Sequence, residues 1–107
     1  MSRLEGAEEV FVPSIALGEL YYGARKSAHP ERNAGRVSEL ASATVVLDID
    51  AKTAQEYGRI KAELRTRGKP IPENDIWIAS IAAQHGLVLI TRDQHFLHVQ
   101  ALTTETW

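Results

Sequence analysis

Residues 76–90 constrain the fold more than any other stretch. Positions 76–83 are apolar except for Ser80, and Gln84, His85 and Gly86 follow. Leu87, Val88, Leu89 and Ile90 then run without a polar interruption. A strand apolar on both faces belongs in a parallel sheet covered by helices. Gly86 stands where a helix is closed by a residue of positive φ, which glycine adopts without steric cost. Helix, glycine stop and buried strand in succession make half of a β–α–β unit. The chain is therefore read as α/β.

The rest of the chain repeats that alternation. Val10, Phe11 and Val12 read as a short strand ended by Pro13 and Ser14, with Ser14 as N-cap. Leu17, Leu20, Tyr21 and Ala24 follow at helical spacing. His29-Pro30 breaks that helix, and a second is expected over 31–41. Residues 45–47 read as a strand. Asp50 caps a helix running to Thr66, with Ala54, Tyr57, Ile60, Ala62 and Leu64 on its buried side. Gly68-Lys69-Pro70 stops it. Glu73 and Asn74 open the apolar helix already described, and residues 102–107 are expected to hold a last short strand.

Composition narrows the function classes. A chain of 107 residues predicts one domain, and a 44% hydrophobic share gives it one small core. Cysteine is absent, which excludes a disulfide framework and a thiolate metal site and fits a reducing cytoplasm. The acidic start at 1–9 has no apolar segment and does not read as a signal peptide. Residues 76–83 are far too few to span a bilayer, so no membrane association is expected. A net charge of −2 argues against non-specific nucleic-acid binding through a basic surface. It leaves room for a metal-dependent nuclease, because cations in an acidic cleft supply the charge that phosphate needs.

Three acids converge in this reading. If residues 87–90 rise toward the carboxyl edge of a parallel sheet, Thr91 and Asp93 lie in the loop at that edge. The preceding helix must descend, which sets Asp75, near its start, at the same edge. A strand at 10–12 likewise delivers Glu19 to that edge in the first turns of the next helix. Open α/β sheets place their ligands there. Clustered carboxylates raise each other's pKa, and a divalent cation with hard oxygen ligands relieves the repulsion. Taken singly, Asp75 reads as a helix-start acid, Asp93 as a turn aspartate and Glu19 as a solvated helix residue. Their convergence is what points to a site. Asp48 and Asp50 read as a strand end and a cap. His29, His85, His95 and His98 read as surface or packing residues. Lys61, Arg65, Arg67 and Lys69 form a solvated face with Glu63, with phosphate contact as the alternative. Trp77 and Tyr22 read as core or interface, with base-stacking platforms as the weaker alternative.

These residues fall into three motifs. SIALGELYYGA at 14–24, GKPIPENDIWIA at 68–79 and HGLVLITRD at 85–93 resemble, in order and spacing, motifs of PIN domains of the VapC toxin type. The ending at 99–107 is similar to the family's last strand. The resemblance implies a three-layer α/β/α fold with a small parallel sheet. It also implies an endoribonuclease dependent on Mg²⁺ or Mn²⁺, acting on RNA as the toxin of a toxin–antitoxin pair. A cognate antitoxin and a homodimer are the partners it implies. Glu19, Asp75 and Asp93 match its acidic positions, Thr91 a polar neighbour, and Asn74 the residue beside the central aspartate. One family element has no counterpart before Val10, a first strand ending in an aspartate as in Leu-Asp-Thr-Asn. The chain is accordingly read as a single PIN-like domain over 1–107, incomplete at its N-terminus. A second reading follows from that departure, in which the chain is an inactive remnant that dimerises or binds the antitoxin.

Overall fold

The computed structural model of the chain describes residues 10–90, Phe96, His98, Val99 and 103–105. The elements are β1 (Phe11–Pro13), α1 (Ser14–Arg25), α2 (Pro30–Ala43), β2 (Val45–Leu47), α3 (Ala51–Thr66), α4 (Glu73–Gln84), β3 (Val88–Ile90) and β4 (Thr103–Glu105). They fall into two compact units, Met1–Asp48 and Ile49–Trp107. The fold is mostly helical with small parallel sheets, as an α/β chain should be.

In the first unit β1 and β2 run parallel, with Phe11 opposite Val45 and Pro13 opposite Leu47. Such a pair needs a crossover, and the hairpin of α1 and α2 provides it. Pro13, not Ser14, occupies the N-cap of α1. A proline loses nothing there, because the first helical N–H groups have no partner inside the helix. The expected helix break falls at His29, and α2 begins at Pro30 and runs two residues past the expected end. The Tyr21 hydroxyl and the Ser38 hydroxyl, 2.8 Å apart, tie α1 to α2. Of the described residues in this unit only Ala24 is fully buried.

The second unit is built on the antiparallel pair of α3 and α4. Asp50 caps α3 as expected, and Thr53 completes a reciprocal capping box. The buried stripe of α3 is Thr53, Ile60 and Leu64, with Tyr57 half-buried between them. Ala54 and Ala62, expected inside, are exposed. They lie off the 53–57–60–64 stripe, and the helical period decides burial over residue type. Gly68 and Gly86, at φ 66° and 64°, close α3 and α4. In each case the glycine N–H returns to the carbonyl three residues back. The N–H of the next residue reaches five back, from Lys69 to Leu64 and from Leu87 to Ala82, at 2.9 Å both times.

β3 pairs in parallel with β4, Val88 opposite Thr103 and Ile90 opposite Glu105, which is the expected terminal strand. Sequence reasoning expected one small parallel sheet. Among the described residues the four strands form two parallel pairs, β1 with β2 and β3 with β4. The burial expected for the 87–90 strand is also incomplete. Val88 is exposed and Leu89 half-buried, because a pair of strands cannot cover both of its faces. No helix among the described residues is long and apolar enough to cross a membrane.

Candidate functional site

The first turn of α4 carries two acids with opposite surroundings. Pro72 occupies the N-cap, and its carbonyl accepts from the backbone N–H of Asp75 at 3.0 Å and of Ile76 at 3.2 Å. Asp75 is therefore the third residue of the helix. Its side chain lies on the same stripe as Ile78, Ala79 and Ala82, all buried, and Asp75 itself is only 8% exposed. Burying a carboxylate is costly unless its charge is answered locally. The partial positive charge of the helix N-terminus supplies part of that answer.

Glu73, two residues earlier, faces away from that stripe and is exposed. Its carboxylate accepts hydrogen bonds from the Tyr57 hydroxyl and, at 3.1 Å, from Lys61 Nζ. Lys61 Nζ also lies 3.0 Å from the Tyr57 hydroxyl oxygen. The Tyr57 ring stacks on Trp77 with centroids 4.0 Å apart and planes 15° apart. These contacts hold the Glu73 carboxyl below its usual range, the Tyr57 hydrogen bond first and the Lys61 hydrogen bond second. The Lys61 ammonium is raised, by its hydrogen bond to Tyr57 and then by that to Glu73. Sequence reasoning placed Lys61 on a solvated face and Glu73 at a helix start, without joining the two. The signal was present as two i, i+4 pairs on consecutive antiparallel helices, Tyr57 with Lys61 and Glu73 with Trp77.

The far end of the same helix pair is fastened differently. The Thr53 hydroxyl accepts from the Asp50 backbone N–H at 3.0 Å and donates to the Gln84 side-chain carbonyl. Gln84 Nε2 donates to Asp50 Oδ1 at 2.8 Å. The Thr53 backbone N–H is the largest influence on the Asp50 carboxyl and lowers its pKa; desolvation opposes it, and the Gln84 amide adds a further lowering. Asp50 thus caps α3, as its position after β2 suggested.

The remaining sequence candidates divide as follows. Asn74 is the exposed second residue of α4, beside Asp75. Glu19 is exposed in the second turn of α1, in the first unit. Thr91 and Asp93 lie outside the described residues. Among the described residues no three of the His, Cys, Asp and Glu side chains are grouped to hold a metal ion. Asp75 offers a hard oxygen donor of the kind Mg²⁺ and Mn²⁺ take, and it cannot complete a coordination shell alone.

The PIN domain profile matches residues 1–102. This chain belongs to the PIN-domain family. Among curated proteins, the PIN domain is 45% identical over 104 residues to the ribonuclease VapC2 of Haemophilus influenzae, covering 96% of this chain and 79% of that protein. It is 41% identical over 97 residues to the tRNA(fMet)-specific endonuclease VapC of Shigella flexneri, covering 90% and 74%. Solved structures agree. The PIN domain superposes on the DNA-bound VapBC of Salmonella typhimurium with a TM-score of 0.85 at 40% identity, over 91% of this chain and 74% of that one. VapBC-1 of nontypeable Haemophilus influenzae gives 0.86 at 28% identity, over 98% and 79%. The homology to VapC ribonucleases that the three motifs suggested is therefore established.

Proposed function

We propose that this PIN domain is an endoribonuclease toxin of a toxin–antitoxin pair that hydrolyses RNA phosphodiesters with Mg²⁺ or Mn²⁺. In this reading the 107 residues work as one PIN-like domain in the cytoplasm, as a homodimer, and a cognate antitoxin restrains them. Asp75, Glu19 and Asp93 supply the metal-binding carboxylates, with Thr91 and Asn74 in support. The ribonuclease and endonuclease names of the curated relatives support the activity. The solved relatives crystallised as VapBC complexes, one described as a member of a toxin–antitoxin family, support the antitoxin.

The observation that carries the proposal is the burial of Asp75 in the first turn of α4, beside an exposed Glu73. Both acids lie in one helical turn, and Glu73 is exposed and bonded to Tyr57 and Lys61. Asp75 is instead a carboxylate buried at a helix start, held in place by the α4 backbone. When bound, the metal supplies a water of lowered pKa and a Lewis acid for the phosphate oxygens. Asp75 presents its oxygens from a rigid helix, so little ordering is needed when the cation arrives. Asn74, beside it, orients the carboxylate or the phosphate through its amide. The Glu73–Lys61–Tyr57 cluster fixes the start of α4 and hence the Asp75 backbone.

The experiment compares cleavage of a structured RNA in Mg²⁺ by the parent, Asp75→Asn and Glu73→Gln. Asp75→Asn should lose at least about a hundred-fold in rate, and Glu73→Gln far less. Equal rates for the parent and Asp75→Asn contradict the assignment. One observation favours a second reading, in which the chain binds its antitoxin without cutting. Leu20, Tyr22 and Leu40 expose apolar surface on α1 and α2, which suits a docking face. Cleavage by the purified 107-residue chain rules that reading out.

A further inference from the structure

The turn between α1 and α2 carries the opposite charge to the acids above. A concavity of about 430 Å³ is lined there by Arg25, Ala28, His29, Pro30, Glu31 and Arg32. Lys26 adjoins it, and Arg36 lies one helical turn beyond Arg32. Residues 25–36 thus hold four cations against the single acid Glu31, on a chain whose net charge is −2. The ion pairs among the described residues lie on α3 and α4 and leave these cations aside.

The turn that carries the cations is rigid. The Ser27 hydroxyl donates to the Ala24 carbonyl at 2.6 Å and accepts from Asn33 Nδ2 at 2.9 Å. The Asn33 backbone N–H reaches the His29 carbonyl at 3.0 Å, and Pro30 fixes the start of α2. Beside the arginines stands Tyr22, 64% exposed and therefore outside the core. Lys26 Nζ lies 4.7 Å from the centre of its ring. Arginine forks match phosphate oxygens bidentately. A cationic track next to an exposed aromatic face is the combination that holds single-stranded nucleic acid, phosphates on the cations and a base on the ring. An acidic protein segment would use the charges and leave the ring idle.

We propose that Arg25, Lys26 and Arg32, with Tyr22, form an RNA-backbone contact built wholly within the first unit. The inference rests on the ribonuclease reading for its ligand, and it concerns binding, not cleavage. Each phosphate neutralised on a single strand contributes about 0.7 to the slope of log affinity against log salt.

The test titrates the full 107-residue chain with fluorescein-labelled single-stranded RNA in EDTA across KCl concentrations, by anisotropy, with RNA integrity checked on a gel. Replacing both arginines, Arg25→Ala with Arg32→Ala, should make the slope shallower by about 1.4 with the circular dichroism unchanged. The Arg25→Lys, Arg32→Lys pair should keep the parent slope. Tyr22→Ala should weaken binding on the order of ten-fold for every base sequence, while Tyr22→Phe retains it. Arg59→Ala, whose guanidinium is occupied by Glu56, should leave the slope unchanged. An unchanged slope in the double alanine variant overturns the proposal. So does the absence of RNA binding, or binding of a hexaglutamate peptide as tightly as RNA. Cleavage by the parent is scored separately. Salt-dependent binding through the arginines without cutting sinks only the nuclease reading, and cutting with an unchanged slope sinks only this one.

Discussion

The two units of this chain use their apolar residues in opposite ways. Ile49–Trp107 encloses a core of Ile60, Leu64, Ile71, Ile76, Ile78 and Ile81, closed by Phe96 and Val99. Met1–Asp48 spends a similar vocabulary on exposed positions, with Phe11, Leu20, Tyr22, Leu40, Val45 and Val46 all open. The polar groups follow the same division. In the second unit they fasten both ends of the α3–α4 pair, through Asp50, Thr53 and Gln84 at one end and Glu73, Lys61 and Tyr57 at the other. In the first they fix a turn and leave its cations to solvent. One unit is organised to be stable and to hold a buried carboxylate, the other to present surface.

Four measurements can break or sharpen that contrast. Ile81, fully buried in α4, should be the most sensitive position. Ile81→Ala should cost about 2–5 kcal/mol in urea unfolding, through lost burial and the cavity left behind. Next comes Thr53, which is fully buried and bonded to both Asp50 and Gln84. Thr53→Ala should cost about 1–2 kcal/mol, because it removes half of a capping box and strands its partners. Acid should act more mildly. The Glu73 and Asp50 carboxyls sit below their ordinary values of 4.5 and 3.8 in the folded chain. Their contribution is complete above those ordinary values and is lost as pH falls through the lower folded ones. Melting temperatures followed between pH 6 and pH 2.5 should therefore drop at the acid end, and Glu73→Gln should flatten part of that drop. The smallest effect belongs to the first unit. Leu20, 45% exposed, should tolerate Leu20→Ala within about 0.5 kcal/mol. A loss there as large as that of Ile81→Ala would break the contrast.

How far the sequence foretold this depends on which forces act locally. Gly68 and Gly86 stop helices because only their own φ angles matter, and both stops were legible. Asp50 as a cap was legible for the same reason. The parallel pairing of β1 with β2 followed from apolar runs separated by helices. The division of the strands into two pairs was not legible, since pairing partners are chosen across long stretches of chain. The stripe of α3 was misread at Ala54 and Ala62, where residue type was weighed above helical period and Thr53 took the buried place. At the site, Asp75 was legible as a helix-start acid of special position. Its burial was not, because burial depends on the stripe it shares with Ile78, Ala79 and Ala82. The Glu73–Lys61–Tyr57 cluster required knowing that α3 and α4 lie antiparallel side by side. The cations of residues 25–36 drew no attention as a sequence, since a net charge of −2 hid a local excess of the opposite sign.

The central proposal is that Glu19, Asp75 and Asp93 each contribute a carboxylate to metal binding. Mn²⁺ binding followed by electron paramagnetic resonance tests it most directly, on the parent and on Glu19→Gln, Asp75→Asn and Asp93→Asn. The account predicts that each single substitution weakens Mn²⁺ binding by at least about ten-fold while the helical circular dichroism stays intact. Parent-like Mn²⁺ affinity in all three variants, or a loss confined to one of them, would contradict it.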